Sequence, residues 1–348
     1  MNWKRLARGL LALPVVAVTA WGALALWFQL APALALAIGG AWTLLGLAVA
    51  LVLARAPGWR YERALLLAGA LAALAMLGWW QSLAPSHDRP WADDVARLLE
   101  STVDGDRLEL RNVRAFEWRT ETDYAPRWET RRYDLSRLES ADLFLSYWMG
   151  PHIAHTLVSF GFSDGQKLVF SLEIRKERDE TFSAIGGFFR KFEQVIVAAD
   201  ERDLIRTRSN ARGEQVYLYR LRATSAQLRS VLLDYLARAE RLRRQPEFYN
   251  TLTSNCTTIL FELARHIDPA LPLDYRLLAS GHFAEYAYDQ GALTPGLPYA
   301  VLRARGHINA RAQASDTNAH DFSQAIRAGV PGIAAPTVPD QLLKINRR

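Results

Sequence analysis

From Gly9 to Ala54 the chain carries no charged residue. A helix that crosses the ~30 Å hydrocarbon core takes about 20 residues, so the run has room for two crossings and little else. The pattern places them at Gly9–Gln29 and at 33–54, joined by an uncharged hairpin around Ala31-Pro32. A cleaved signal peptide has an apolar region of only ~7–15 residues, and the run continues far past that. A third apolar stretch, 64–83, follows the polar loop 55–63 and contains Trp79-Trp80, a pair suited to the membrane–water interface. Residues 1–85 are expected to form an anchor of three transmembrane helices.

Basic residues set the expected orientation. Lys4, Arg5 and Arg8 precede the first span, and Arg55, Arg60 and Arg63 lie between the second and third. The positive-inside rule puts both segments in the cytoplasm and everything after Pro85 outside. With Glu62, these two segments account for +5 of the net charge of +6. The pI of about 9.5 therefore reflects membrane topology, and it gives no support to nucleic-acid binding. A single cysteine excludes a disulfide framework and every multi-cysteine metal site within the chain.

The remainder divides into an extracytoplasmic domain, 86–305, and a C-terminal tail, 306–348, expected to have little structure. An amphipathic helix is expected over Trp91–Thr102, with Val95, Leu98 and Leu99 on one side. Alternating or apolar runs predict strands at Arg107–Val113, Ala154–Phe162, Lys167–Ile174, Gln194–Ala198 and Val216–Leu221. Ser163-Asp164-Gly165 reads as a hairpin turn. A long helix at Ser225–Arg244 ends at Gln245-Pro246, and a second starts near Asn255-Cys256, with Ile259, Leu260, Leu263, Ala264 and Ile267 at helical spacing. No internal repeat is visible. The fold class is α+β, with a mainly antiparallel sheet flanked by helices.

Cys256 is the first candidate for chemistry. A free Cys is usually a small buried hydrophobe. This one lies at the start of a helix, where unpaired N–H groups and the helix dipole lower a thiol pKa, and its neighbours Tyr249–Thr258 are mostly polar. A thiol nucleophile needs a base, most often His. Of seven histidines, His87 lies beside the membrane, His307 and His320 fall at or in the tail, His266 is at the far end of the Cys256 helix, and His282 follows a Gly in a loop. His152 and His155 remain, at the mouth of the strand Ala154–Phe162. His155 is the expected base and His152 the fallback. A strand-start His facing a helix-start Cys is the geometry of papain-like enzymes, and His before Cys is the order of their circularly permuted relatives.

Three other patterns compete. Gly161-Phe162-Ser163-Asp164-Gly165 matches the serine nucleophile elbow in letters, but that elbow needs a helix after the strand, and here a strand follows. His152 and His155 could be half a metal site, yet no third ligand is suggested, so neither a metal nor a cofactor is expected. Asn255-Cys256-Thr257 fits a glycosylation pattern, at a helix start where that signal is weak. On the next strand, Ser171-Leu172-Glu173-Ile174-Arg175 alternates polar and apolar. It reads either as a solvated face with an ion pair, or as Glu173 orienting His155 and Arg175 holding an anionic group.

The segments Ile153–Phe162, Ser171–Glu177 and Tyr249–Thr258 resemble the extracytoplasmic domain of Lnb, a bacterial lipoprotein N-acyltransferase family, over roughly Asn112 to Leu293. The resemblance implies a papain-like fold with Cys256 and His155 as its pair, residence in the bacterial inner membrane, and a membrane lipid or lipoprotein as partner. It implies transfer of an acyl chain from a diacylglyceryl lipoprotein to an amine. The expected route is a Cys256 thioester, with the Cys256 backbone N–H and Asn255 stabilising the oxyanion. Arg175, Tyr249 and Asn250 are the expected substrate-binding residues. A cysteine amidase or peptidase acting on cell-wall peptide would use the same dyad with water as acceptor, and a membrane-tethered binding module would need no dyad at all.

Overall fold

A computed structural model describes residues 3–55, 60–315 and 322–334. The chain forms two compact units, one of residues 1–89, 181–193 and 247–251, the other of 90–180, 194–246 and 252–348.

The first unit is built on three apolar helices, α1 (Trp3–Gln29), α2 (Pro32–Ala54) and α3 (Glu62–Ser82). Gly9–Gln29, Pro32–Ala54 and Glu62–Ser82 are each long and apolar enough to cross a membrane, with mean hydropathies of 2.0, 2.2 and 1.6. Pro32 opens α2 at a position where a missing N–H costs nothing. Between α1 and α2, Trp42 Nε1 donates to the Thr19 carbonyl at 2.8 Å. A Cβ at Gly46 would run into the Thr19 side chain. Small residues let the two backbones approach closely, as helix pairs in lipid require.

Among the described residues the second unit has ten strands. In chain order they are β1 (Glu100–Asp104), β2 (Arg107–Arg114), β3 (Glu117–Trp118), β4 (Tyr124–Ala125), β5 (Trp128–Asp134), β6 (Leu138–Tyr147), β7 (Ala154–Phe162), β8 (Lys167–Arg175), β9 (Glu193–Ala199) and β10 (Gln215–Arg220). The main sheet runs β1-β2-β9-β8-β7-β6-β10, β5 pairs with β2, and β3 and β4 make a separate ribbon. Pairing is antiparallel for β1/β2, β2/β5, β6/β7, β7/β8 and β6/β10, and parallel for β2/β9. The helices are α4 (Glu201–Arg206), α5 (Ser225–Arg244), α6 (Cys256–Ile267), α7 (Phe283–Asp289), α8 (Tyr299–Gly306), α9 (Asn309–Ala314) and α10 (Phe322–Ala325). The class is α+β.

Both faces of the sheet are covered. On one, Leu143, Leu145, Val158, Phe160, Phe170 and Leu172 pack with α5, α6 and α7. On the other, Phe144, Leu157, Val169, Val195 and Val197 pack with Leu204 and Ile205 of α4 and with Ile308, Phe322 and Ile326. The central strands are accordingly apolar on both sides, as a sheet buried in a three-layer arrangement must be.

Two expectations need correction. Trp91–Thr102 is no helix. A short 3₁₀ turn, Asp93–Val95, precedes β1, because Val95 joins one core and Leu99 the other. The C-terminal region is not an unstructured tail: α9 and α10 fold onto the sheet, burying Ile308, Phe322, Ile326 and Val330. Arg327 anchors this region through Asp142 and Glu201. Its parts at 316–321, including His320, and 335–348 lie outside the described residues.

Candidate active site

The β7–β8 hairpin brings one catalytic candidate and its supports together. Its turn is where Ser163 sits. Gly165, at φ +90°, closes it by donating to the Phe162 carbonyl at 2.9 Å. Ser163 is therefore a turn residue between two strands, not a nucleophile at a strand–helix elbow.

His155 lies at the second position of β7. Its Nε2 is 2.6 Å from Ser171 Oγ and 3.2 Å from Glu173 Oε1 on the neighbouring strand. Ser171 Oγ donates to the same Glu173 oxygen at 2.7 Å, and Arg208 donates to it at 2.8 Å. Ser171 and Glu173 share one face of β8 because side chains alternate along a strand. That face is buried, not solvated. Arg208 comes from a π-helical turn, Thr207–Ala211, that extends α4. Such turns recur at functional sites.

Cys256 opens α6. Asn255 caps the helix, its Oδ1 accepting from the Thr257 and Thr258 N–H groups at 2.9 Å each, and the Thr258 hydroxyl accepts from the Asn255 N–H at 2.8 Å. This is a reciprocal capping box. The Cys256 N–H, at the first helical position, has no acceptor within the helix. Thr156 and Thr257 hydroxyls meet at 3.2 Å, tying the helix start to β7.

The thiol and the imidazole interact. Burial pushes the Cys256 thiol up, and His155, the Thr156 N–H and the Thr257 hydroxyl outweigh it, leaving the thiol below its ordinary range. Burial pushes His155 down, and Glu173 and the Cys256 thiolate outweigh that, raising it to about 9. Burial also opposes ionisation of Glu173, yet His155 and Arg208 hold its carboxyl well below the usual carboxylate range. With Nε2 turned to Ser171 and Glu173, the imidazole nitrogen left for the thiol is Nδ1. The order of groups across the site is thiol, imidazole, carboxylate, guanidinium.

The other expected residues lie as follows. His152 is not with Cys256; its Nδ1 is 2.8 Å from His282 Nε2. Arg175 is buried and points inward, donating to the Val95 and Ala96 carbonyls at 3.1 and 2.8 Å and stacking 4.3 Å from the Trp91 ring centroid. These contacts occupy its Nε and one terminal nitrogen and pack the guanidinium against Trp91. Tyr249 and Asn250 belong to the anchor unit, where the Tyr249 N–H donates to the Phe192 carbonyl at 2.9 Å. Asn255 uses its Oδ1 in the cap, so any donor role falls to its Nδ2.

Sequence reasoning did not find Arg208, Ser171 or the threonine pair. No local pattern marks Arg208. Among the described residues no cluster of His, Cys, Asp or Glu is suited to a metal ion. A cavity of about 420 Å³ opens elsewhere, beside Tyr147, Trp148, Arg212, Tyr217 and Arg303, and neither Cys256 nor His155 lines it.

Residues 124–281 match the family model of the Lnb N-terminal periplasmic domain. The match spans His155, Ser171, Glu173, Arg208 and Cys256, and with the three apolar helices it identifies a membrane protein carrying a periplasmic domain. Searches of curated proteins and of solved structures return no match.

Proposed function

We propose that this Lnb-type periplasmic domain is a thiol acyltransferase, held by three spans in the inner membrane of a bacterium with its N-terminus and the loop around Arg60 in the cytoplasm. The fold is read as papain-like with His before Cys in the chain. The observation that carries the reading is a thiol at the first position of a capped helix, its pKa drawn down by an imidazole that Ser171 and Glu173 hold in place, with Arg208 on the same carboxylate.

The thiolate of Cys256 attacks an ester carbonyl of a diacylglyceryl lipoprotein or lipid, and the carbonyl oxygen takes the negative charge. The Cys256 N–H and the Asn255 Nδ2 stabilise that oxyanion. Collapse breaks the ester C–O bond, and the His155 imidazolium gives its proton to the departing alkoxide. A thioester on Cys256 remains. An amine then attacks it, His155 takes the amine proton, and the thiolate leaves, giving an amide. Glu173 keeps the imidazole oriented and stabilises its cation through both steps, in the manner of a triad carboxylate.

The test is to supply an acyl-lipid donor to the full-length protein without an amine. Wild type is expected to accumulate a hydroxylamine-labile adduct at Cys256, His155→Ala to form it slowly or not at all, and Cys256→Ser to lack it. Addition of an amine should then yield the N-acyl product. A free fatty acid as the sole product would replace transferase with hydrolase. An unreactive Cys256 would overturn the enzyme reading altogether.

A further inference from the structure

Residues 181–193 belong to the anchor unit. Gln29, the last residue of α1, donates through Nε2 to the Phe189 and Arg190 carbonyls at 2.7 and 2.8 Å. Phe28 stacks on Phe189 with centroids 5.5 Å apart. Arg190 donates to the Trp80 carbonyl at 2.6 Å, and its guanidinium lies 4.6 Å from the Trp80 ring centroid. Glu193 accepts from the Ser86 N–H at 3.0 Å and pairs with Arg89 at 3.3 Å. In a chain that crosses three times, the C-terminal ends of α1 and α3 emerge on the same side. The loop is thus clamped to the anchor at the level where two spans leave the hydrocarbon, marked by Trp79 and Trp80.

From that clamp the loop presents apolar side chains outward. Phe182, Ile185 and Phe188 are 51%, 57% and 40% exposed. Large apolar residues grouped on one surface call for a partner. Here the loop is bonded to the ends of the apolar helices α1 and α3, and cationic Arg190 and Lys191 follow its apolar residues in the chain, as in interfacial segments that bury apolar residues beneath the headgroups.

We infer that residues 181–193 form a wedge seated in the membrane leaflet at which α1 and α3 end, with Ile185 and Phe188 among the lipid acyl chains and Arg190 at the headgroup level. The wedge also grips the segment Glu247–Thr251. The Tyr249 N–H bonds to Phe192, Thr251 Oγ1 donates to the Ala184 carbonyl at 3.0 Å, and a Cβ at Gly187 would collide with Thr251. The chain then runs through Leu252 directly into the cap of α6.

The single cysteine makes the test direct. In the full-length protein with Cys256→Ser, Ile185→Cys and Phe188→Cys are spin-labelled separately and embedded in phosphatidylethanolamine–phosphatidylglycerol nanodiscs, with Asp104→Cys in the exposed β1–β2 hairpin as the aqueous reference. Collision rates with oxygen and with a water-soluble nickel chelate are compared. The oxygen-to-nickel ratio is expected to be several-fold higher at 185 and 188 than at 104. Equal ratios at all three positions would overturn the inference. So would shielding from both quenchers, which would show a second protein copy covering the loop. No activity is read, so the result stands apart from the fate of the acyltransferase reading.

Discussion

Glu173→Gln keeps the shape of the side chain and removes its charge. His155 then loses the carboxylate that outweighs its burial, so its pKa falls from about 9 by about one unit or more. The imidazolium fades at lower pH, and the thiol, deprived of its cationic partner, rises. Turnover by the variant should lose its basic limb at a pH nearer neutrality, while the inflection in Cys256 alkylation moves upward. Unchanged profiles by both measurements would remove Glu173 from the relay. Arg208→Met strips a different support. It leaves a buried carboxylate with Ser171 and His155 alone, and should cost about 3 kcal/mol in thermal unfolding, the low end for a broken buried pair. Cys256 and His155 were legible because each is a polar residue at the start of an otherwise apolar element. Arg208 was not, because its partner Glu173 lies on a distant strand and nothing in Thr207-Arg208-Ser209 records the π-helical turn that aims it. Ser171 and Glu173 gave an alternating pattern that fits a solvated face equally well; only packing of α4 over that face turns it into a buried relay.

α6 depends on its cap for stability and for chemistry at once, and the two can be separated. Asn255→Ala leaves the Thr257 and Thr258 N–H groups unmet and should lower stability by about 1 kcal/mol. Asn255→Asp restores an acceptor, so stability should recover. Its negative charge, however, sits one residue from the thiol and disfavours the thiolate. Alkylation of Asn255→Asp should therefore inflect at higher pH than wild type, although its melting temperature is restored. Parallel behaviour of the two variants in both measurements would mean that the cap acts on the fold alone. Elements with a clean period could be read from the sequence: β7 matches its expected bounds and α5 its expected span, the latter with a Thr224–Gln227 capping box. β6 could not. It is buried on both faces along nearly its whole length yet carries Asp142 and Ser146, whose polar groups are answered by partners far along the chain. Ser146 donates to Glu214, and Asp142 accepts from Arg220 and Arg327. In 91–102 the spacing was right for a helix, but Val95 and Leu98 pack on one face of the sheet and Leu99 on the other, which a helix with one apolar stripe cannot do.

At the scale of the whole chain, the C-terminal region closes one face of the sheet around a buried charge cluster. Arg327 binds Asp142 through Nε at 2.9 Å and Glu201 through Nη1 at 2.7 Å, while Ser159 donates to Glu201 at 2.5 Å. Burial raises the Glu201 carboxyl, and Arg327 outweighs it, so the group is held below its ordinary value. The linkage runs as for any depressed carboxylate. The stabilisation is fully present above the unfolded value of ~4.3 and is lost as pH falls through the folded one. Arg327→Met keeps the apolar stem and removes the cation. Asp142 retains Arg220, and Glu201 retains the Ser159 and Ser323 hydroxyls and the nearby Lys167; burial, the largest influence on the group, then favours its neutral form, so its folded pKa is expected to rise above the unfolded one. The sign of its pH dependence reverses: the variant gains stability from protonation as pH falls. Thermal unfolding of the full chain in detergent should show Arg327→Met about 3–5 kcal/mol less stable than wild type at pH 7, with a smaller deficit at pH 5. Truncation after Ser315 removes Phe322, Ile326 and Val330 as well and should cost more than the point variant at both pH values. Equal deficits for Arg327→Met at pH 5 and pH 7 would show that Glu201 stays ionised without its partner, and the closure of this face would then rest on apolar packing alone.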